Sequence, residues 1–322
     1  KSNLKKTIYP FYAFFKFLLT FSFKGPFLWK FKKGADIIEN FIFSDLNLEN
    51  LKIAYVDFND EDKFIKNADP DIVFPCLKPL DAKSNIGYIF DFQHEYFPKN
   101  FSKQHISFRR KEMDDLSRLD YFIVNSRKTK KDLLKFHPVY KKKIVKVVPF
   151  APYVNRKFLK KNSNVLNPYP SKTDFFIVCN QFWKHKNHLE ILKVFEEYIE
   201  KDGKNNLVMT GDINYGRYVN YTDKILKKLK SKNLMNRVFL TGNIKKFEQI
   251  NLIRRSSALI QPSSFEGGPS AGGVSEAVVL GTPIIANKIE INKEIVFTKV
   301  SFYKSKKQLI KLLFKLEKNK KR

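Results

Sequence analysis

The sequence predicts two α/β domains with parallel sheets, and three observations carry that reading. Short β-branched and aromatic runs alternate with charged, helix-like segments along the chain. The alternation breaks at "APYVNRKFLKKNSNVLNPYPSK" (151–172), which is rich in proline and asparagine and lacks periodicity, and then it resumes. At 322 residues the chain is long enough for two cores, and 43% hydrophobic with 29% charged residues reads as globular rather than disordered.

In the first half, strands are expected at "LKIAYVDF" (51–58), "DIVFPCL" (71–77), "IGYIFDF" (86–92), "YFIVNS" (121–126) and "KIVKVVPF" (143–150). "SFRRKEMDDLSRL" and "RKTKKDLLKF" suit helices between them. After the break, strands are expected at "DFFIVCN" (174–180), "NLVMTGD" (206–212), "RVFLTGN" (237–243), "ALIQPS" (258–263) and "TPIIAN" (282–287). Helices are expected at 187–201, 221–232, 246–256 and 270–280, and "KSKKQLIKLLFKLEKNKKR" reads as a basic amphipathic helix. The resulting division is a first domain at 1–155, a linker at 156–172, a second domain at 173–300 and a basic tail at 301–322. In such parallel sheets, ligands bind outside the carboxyl ends of the strands.

The apolar stretch "YPFYAFFKFLLTFSFKGPFLWKF" is interrupted by Lys16 and Lys24, so no uncharged run nears the roughly 20 residues of a membrane span. Lys16, inside the would-be apolar region, also argues against a signal peptide. A segment lying on a membrane surface and a partly buried helix both fit it. Cys76 and Cys179 sit apart in apolar runs with no CxxC pattern and read as buried thiols in a reducing compartment. His185 and His188 are the only close histidine pair, and no HExxH occurs. Asp69-Pro70-Asp71 imitates a metal-binding DxD but directly precedes a strand, where Asp and Pro serve as turn residues. No metal site and no cofactor are expected.

Sixty-one Lys and Arg against 32 Asp and Glu leave a formal charge of +29. That excess favours anionic partners: nucleic acid, acidic lipid or phosphorylated substrates. A compositional drift toward Lys, Asn, Ile and Phe explains it equally well. The lysines are dispersed and no nucleic-acid-binding module is recognisable, so nucleic acid is not the expected partner.

Chemistry concentrates in "SSFEGGPSAGGVSEAVVLGTPIIA" (263–286), with five glycines and the two carboxylates Glu266 and Glu276. Gly281 and Pro283 mark a helix stop, so a helix from about Ser270 to Leu280 would carry Gly272 and Gly273 in its first turn. Glycine there costs about 1 kcal/mol relative to alanine, which makes sense if a ligand must approach bare amides. A phosphate is the natural guest of a helix N-terminus. A carboxylate can accept from two neighbouring hydroxyls. Two of them flanking a phosphate cradle match a nucleotide sugar, although a glycine loop before a helix fits many folds.

The second half resembles the donor domain of retaining glycosyltransferase family 4, which has the GT-B fold of two Rossmann-like domains facing across a cleft. Pro262-Ser263, Glu266-Gly267, Glu276-Ala277 and Gly281-Thr282-Pro283 match the family pattern, with nine residues between the glutamates where the family usually has seven. The resemblance implies that Glu266 holds hydroxyls of the transferred sugar and Glu276 the ribose. Backbone amides of Gly267, Gly268, Pro269-flanking Ser270, Ala271, Gly272 and Gly273 would meet the diphosphate and sugar. "CNQFWKHKNHLEIL" (179–192) resembles a second family block, in which Lys186 takes the place of the phosphate-binding lysine. Gln181 stands where the family has arginine, with Asn180 beside it and Lys184 as a substitute cation. Gly211 ends a strand near the implied cleft. "IFDFQHEYFPKNFS" (89–102) resembles a segment of a bacterial branch that builds cell-surface glycans; Asp91 and His94 are kept, and Phe90 replaces a histidine. By that resemblance Asp91 and His94 contact the sugar or acceptor. The usual glycine-rich opening strand is absent and the chain opens on Lys1, so the first domain is expected to be incomplete.

The implied activity is metal-independent transfer of a hexose-type sugar, with retained anomeric configuration, from a nucleotide-diphosphate sugar to a saccharide or lipid-linked acceptor. Lys186, Glu266, His94 and Asp91 would be the catalytic residues. A cytoplasmic enzyme, peripheral on the inner face of an anionic membrane, is the expected setting. The competing readings are a basic nucleic-acid-binding protein and a catalytically inactive GT-B scaffold.

Overall fold

A computed structural model describes residues 60–159, 174–213, 219–231, 233–296 and 298–318. The strand expected at 51–58, the apolar N-terminal stretch and most of the 156–172 linker lie outside the described residues. Two compact units result. The first comprises, among the described residues, 60–71, 80–83 and 155–157, and it contains helix α1 (Glu61–Ala68). Asp69 ends α1 in the left-handed conformation, at φ 41°. Lys83 Nζ lies 2.9 Å from Asp69 Oδ2 and 3.7 Å from Asp71 Oδ1, so the Asp-Pro-Asp triplet is a helix stop paired with a lysine.

The second unit comprises 72–79, 84–154 and 158–322 and contains two parallel sheets. The four-stranded sheet runs in chain order: β1 (Val73–Cys76), β2 (Asn85–Ile89), β3 (Tyr121–Val124) and β4 (Ile144–Val147). Pro75 lies in β1, an edge strand, where the pairing with β2 shifts register between Val73 and Cys76, as suits a residue without an N–H donor. Between strands come α2 (Gln93–Tyr96), α3 (Lys103–Leu116) and α4 (Arg127–Phe136). Ser102 Oγ caps α3 by accepting from the His105 amide at 3.2 Å, and Ser126 Oγ caps α4 from the Thr129 amide at 2.9 Å.

The six-stranded sheet contains β5 (Phe175–Cys179), β6 (Asn206–Thr210), β7 (Val238–Gly242), β8 (Ala258–Gln261), β9 (Ile284–Asn287) and β10 (Val300–Tyr303). Their order is β10-β9-β8-β5-β6-β7. The helices are α5 (His188–Glu200), α6 (Val219–Leu229), α7 (Lys246–Arg255), α8 (Val274–Leu280) and α9 (Lys306–Lys318). Every residue of β5, β6 and β8 is buried, as expected for central parallel strands covered on both faces. The strand period divides β5 between two cores. Phe176 and Val178 pack with Phe195 of α5 and Leu309 of α9, while Phe175, Ile177 and Cys179 pack with Leu252 of α7 and Ala277 of α8. Each such aliphatic or aromatic side chain contributes roughly 1.5–3 kcal/mol on burial.

Two expectations need correction. The helix expected at 270–280 begins only at Val274, because Gly272 has φ +65° and cannot be helical; Gly272 and Gly273 therefore precede the helix. Strand β10 was not expected at all, being four residues set between lysines. Both cysteines are buried and neither forms a disulfide. No described helix is long and apolar enough to cross a membrane.

Candidate active site

The strand order reverses between β5 and β8: β6 and β7 extend to one side, β8 through β10 to the other. Such a switch point leaves a crevice outside the carboxyl ends of the two central strands. Asn180 follows β5 and Gln261 ends β8, and Asn180 Nδ2 donates to Gln261 Oε1 at 3.0 Å across that point. Gln261 Nε2 in turn donates to Glu266 Oε1 at 2.7 Å, and Lys186 Nζ donates to both Glu266 oxygens at 2.6 Å. Lys186 and Glu266 side chains are only 9% and 3% exposed, so this is a buried, bidentate ion pair. Lys186 sits in the 3-10 turn Lys184–Lys186, which Asn187 closes at φ 55° before α5 begins. Its ammonium has three donors. Two are directed at Glu266.

The glycine turn owes its composition to packing. A Cβ on Gly272 would lie 2.8 Å from both Asn180 Oδ1 and Cys179 O, and one on Gly273 2.8 Å from Cys179 Cβ. What comes close to these backbones is the end of β5 itself. Gly211, with φ +142°, serves the same end: a Cβ there would meet Asn180 O at 2.2 Å. Gly267 and Gly268 face the four-stranded sheet's loops instead. Their Cβ positions fall 3.2 Å from Asp91 Cβ and 2.9 Å from Asn125 Nδ2, and Thr129 Oγ1 donates to Gly267 O at 3.2 Å. Ser270 Oγ lies 3.4 Å from Phe150 O, Pro269 is buried, and Ala271 is half-buried.

Glu276 occupies the first turn of α8 and is buried, with Lys246 Nζ bonded to Oε1 and Oε2 buried without a partner. Asp91 Oδ1 accepts from Arg109 Nη2 at 3.0 Å and from the Gln93 amide at 2.9 Å. Burial pushes its carboxyl upward, but the Arg109 charge and these bonds outweigh it and hold it below the usual range. Gln93 Nε2 lies 2.7 Å from His185 Nδ1, which links the Asp91 segment to the residue before Lys186. Burial, with the neighbouring Lys186 charge, pushes His185 down to about 3.

The structure thus brings Lys186, Glu266, Gly267 and Asp91 together, with Asn180 and Gly272 behind them. His94 stands apart. It is fully buried, neither ring nitrogen has a hydrogen-bond partner, and Nε2 is 3.4 Å from Glu95 Oε1. Burial, reinforced by Arg109, pushes it down to about 4. Gln181 accepts from the Asp212 amide at 2.8 Å, and Lys184 is exposed. Sequence reasoning missed Gln261, Arg109, Gln93 and Lys246. Gln261 had a visible signal, a lone amide ending an apolar strand run; the others had none.

Among solved structures, the fold is similar to TarM of S. aureus, at a TM-score of 0.57 and 18% identity over 80% of this chain and 50% of that one. HepE of Anabaena in complex with UDP gives 0.56 and 14%, over 73% and 63%. A sucrose-phosphate synthase from Thermosynechococcus elongatus gives 0.52 and 17%, over 72% and 58%. The chain spans less than two thirds of the length of each, and the likeness shows the fold, which is of the GT-B type. No curated protein matches the chain. Residues 160–322, just over half of the chain, match the family described as glycosyl transferases group 1, and the chain belongs to that family.

Proposed function

We propose that this protein is a retaining glycosyltransferase of family 4 that moves a hexose-type sugar from a nucleotide-diphosphate sugar to a saccharide or lipid-linked acceptor. The observation that carries the reading is the buried Lys186–Glu266 pair, set at the strand switch point beside the Gly267–Gly273 turn and within reach of Asp91. HepE, similar in fold, is a structure in complex with UDP-glucose, which supports a nucleotide sugar as donor.

In this reading Glu266, fixed by Lys186 and Gln261, accepts hydroxyls of the sugar. Lys186 offers its third donor to the diphosphate. The amides of Gly267, Gly268 and Ser270 to Gly273 and exposed Lys184 supply further positive potential, so leaving-group charge is met without a divalent metal. The unpartnered Glu276 Oε2 accepts from the ribose, and satisfying a buried orphan acceptor adds affinity. The acceptor hydroxyl attacks the anomeric carbon on the face the diphosphate leaves. Its proton passes to the departing phosphate oxygen as the C–O bond to the diphosphate breaks, which retains configuration. Asp91, ionised by Arg109, orients the sugar or acceptor. His94, buried and neutral, supports the Asp91 segment rather than exchanging protons with water. The excess of cations suits a peripheral position on an anionic cytoplasmic membrane face, at about 1 kcal/mol per well-placed Lys or Arg, and a role in cell-surface glycan synthesis.

The test is a thermal-shift screen against UDP, GDP and their sugar conjugates, with and without EDTA. A nucleotide at a hundredfold excess over its Kd should add about 2.7 kcal/mol of stability, unaffected by EDTA. Glu276→Ala should remove the shift. Indifference of the protein to every nucleoside diphosphate would overturn the reading.

A further inference from the structure

Outside the candidate active site, the described residues contain an open cavity of about 540 Å³ along the outer face of α3, lined by Pro98, Lys103, Ile106, Ser107, Arg110, Lys111 and Asp114. That volume lies within the range of ligand pockets, about 300–1,000 Å³. The spacing 103, 106/107, 110/111, 114 is one helical stripe, so a single helix presents the whole lining to one side. Lys103, Ser107 and Lys111 are exposed, and neither lysine has an ion-pair partner among the described residues. Arg110 is held in place by a two-point bond to Glu95, at 2.7 and 2.8 Å, and keeps its remaining donors. Asp114 closes the acidic end of the stripe.

The opposite face of the same helix reaches the candidate active site: Arg109 donates to both the carboxylate and the carbonyl of Asp91. At the groove's other wall, Pro98 follows Phe97, whose ring packs edge-on against Phe265 at 6.1 Å, and Phe265 precedes Glu266. The walls of the groove are therefore packed, through one helix and one aromatic contact, against the residues that would hold the transferred sugar.

We infer that this groove binds the anionic part of the acceptor, a saccharide chain carrying phosphate or sulfate groups; as an assignment of acceptor class it rests on the proposed glycosyltransferase activity. The lining decides between anionic partners. It contains no aromatic ring, so it offers no platform for stacking bases, as single-stranded nucleic acid requires. It contains one large aliphatic side chain, Ile106, where a helix lying in a membrane presents a broad apolar stripe. Two ammonium groups without ion-pair partners, a guanidinium and a hydroxyl around one open groove suit spaced anionic groups on a polar chain.

The experiment is a titration of the full chain, by calorimetry, with a sulfated pentasaccharide as probe and an uncharged maltopentaose as control. The probe should bind saturably, with affinity falling steeply as salt rises, and the neutral sugar should not. The pair Lys103→Glu and Lys111→Glu should weaken the probe about tenfold or more. The pair Lys224→Glu and Lys227→Glu, exposed on α6, should change it less than about twofold. Equal loss in both pairs would show diffuse attraction to net charge and overturn the inference. So would equal affinity for the neutral sugar, for a single-stranded oligonucleotide of the same charge, or for anionic vesicles. The UDP-induced thermal shift separates the two proposals. It should survive in the Lys103/Lys111 variant; its absence from every variant while the pentasaccharide still binds at the groove would sink the donor reading and leave an anionic-glycan site.

Discussion

The two sheets share one pairing rule, parallel throughout, yet bury their strands very differently. In the six-stranded sheet β5, β6 and β8 have no exposed residue, whereas in the four-stranded sheet Phe74, Tyr121 and Ile144 are each 49% exposed among the described residues. Two ion pairs illustrate the contrast. Lys186–Glu266 lies in the closed scaffold, at 9% and 3% exposure, while a two-point pair beside the four-stranded sheet, Arg110–Glu95, leaves Arg110 55% exposed. A buried pair feels a low dielectric and is screened little, so it can act on a ligand's charge; an exposed one is largely neutralised by water.

Breaking each pair is the sharpest way to test that contrast. Lys186→Met leaves a carboxylate buried without its cation, and the loss should reach about 3–5 kcal/mol in urea unfolding. Adding Glu266→Gln should recover most of it, since the neutral amide keeps its bond to Gln261. Glu95→Gln should cost less than about 1 kcal/mol. Equal losses in the two regions would contradict the comparison.

Acid should act next most strongly, again unevenly. His185 and His188, both in the six-stranded region, are pushed from 6.5 down to about 3 by burial, and His94 from 6.5 to about 4. Each stays neutral in the folded chain while the unfolded chain takes up a proton. Stability is therefore full above about pH 6.5 and falls as pH drops toward 4 and then 3, by a total on the order of a few kcal/mol. His188→Phe should flatten the fall more than His94→Phe, because its window is wider and its ring already stacks on Phe182 at 4.2 Å. Urea midpoints at several pH values measure this, and pH-independent stability would refute it.

Glycine substitutions sharpen the comparison at the backbone. Gly211→Ala places a methyl 2.2 Å from the Asn180 carbonyl at φ +142° and should cost more than about 2 kcal/mol. Gly87→Ala in β2 meets the Phe122 ring, at 2.5 Å, and the cost should be smaller, about 1–3 kcal/mol, because a side chain, unlike the Asn180 carbonyl, can shift. The smallest effect concerns a carboxylate that joins the two regions. Glu294, after β9, accepts from the amides of Arg127 and Lys128 at 2.7 and 2.8 Å, where the N-terminus of α4 favours an anion. Glu294→Ala should lower stability by about 1 kcal/mol, and no change in Tm would show that the clasp carries nothing.

The same contrast explains what the sequence disclosed. Strands such as "DFFIVCN" are apolar on both faces, so their runs stand out, and the described strands of the four-stranded sheet were also marked by β-branched and aromatic residues. The tetrapeptide "VSFY" of β10 has too little hydrophobic length between its lysines to announce itself. The glycine turn was legible as a special place but not as a conformation. Its glycines at 272 and 273 suggested a helix approached by a ligand, and the backbone instead turns left-handed to pack on β5. Lys186 and Glu266, read as separate ligand contacts 80 residues apart, hold each other, because a switch point in the sheet order is invisible until the strands are placed. Arg109, inside "FRRKE", looked like one more surface cation.

A crystal structure of the protein soaked with the nucleotide sugar selected by the thermal-shift screen tests the central claim most directly. The account predicts diphosphate oxygens within hydrogen-bonding distance of Lys186 Nζ, a sugar hydroxyl on Glu266 and a ribose hydroxyl on Glu276 Oε2. A nucleotide bound elsewhere, with Lys186 and Glu266 still closed on each other alone, would contradict it.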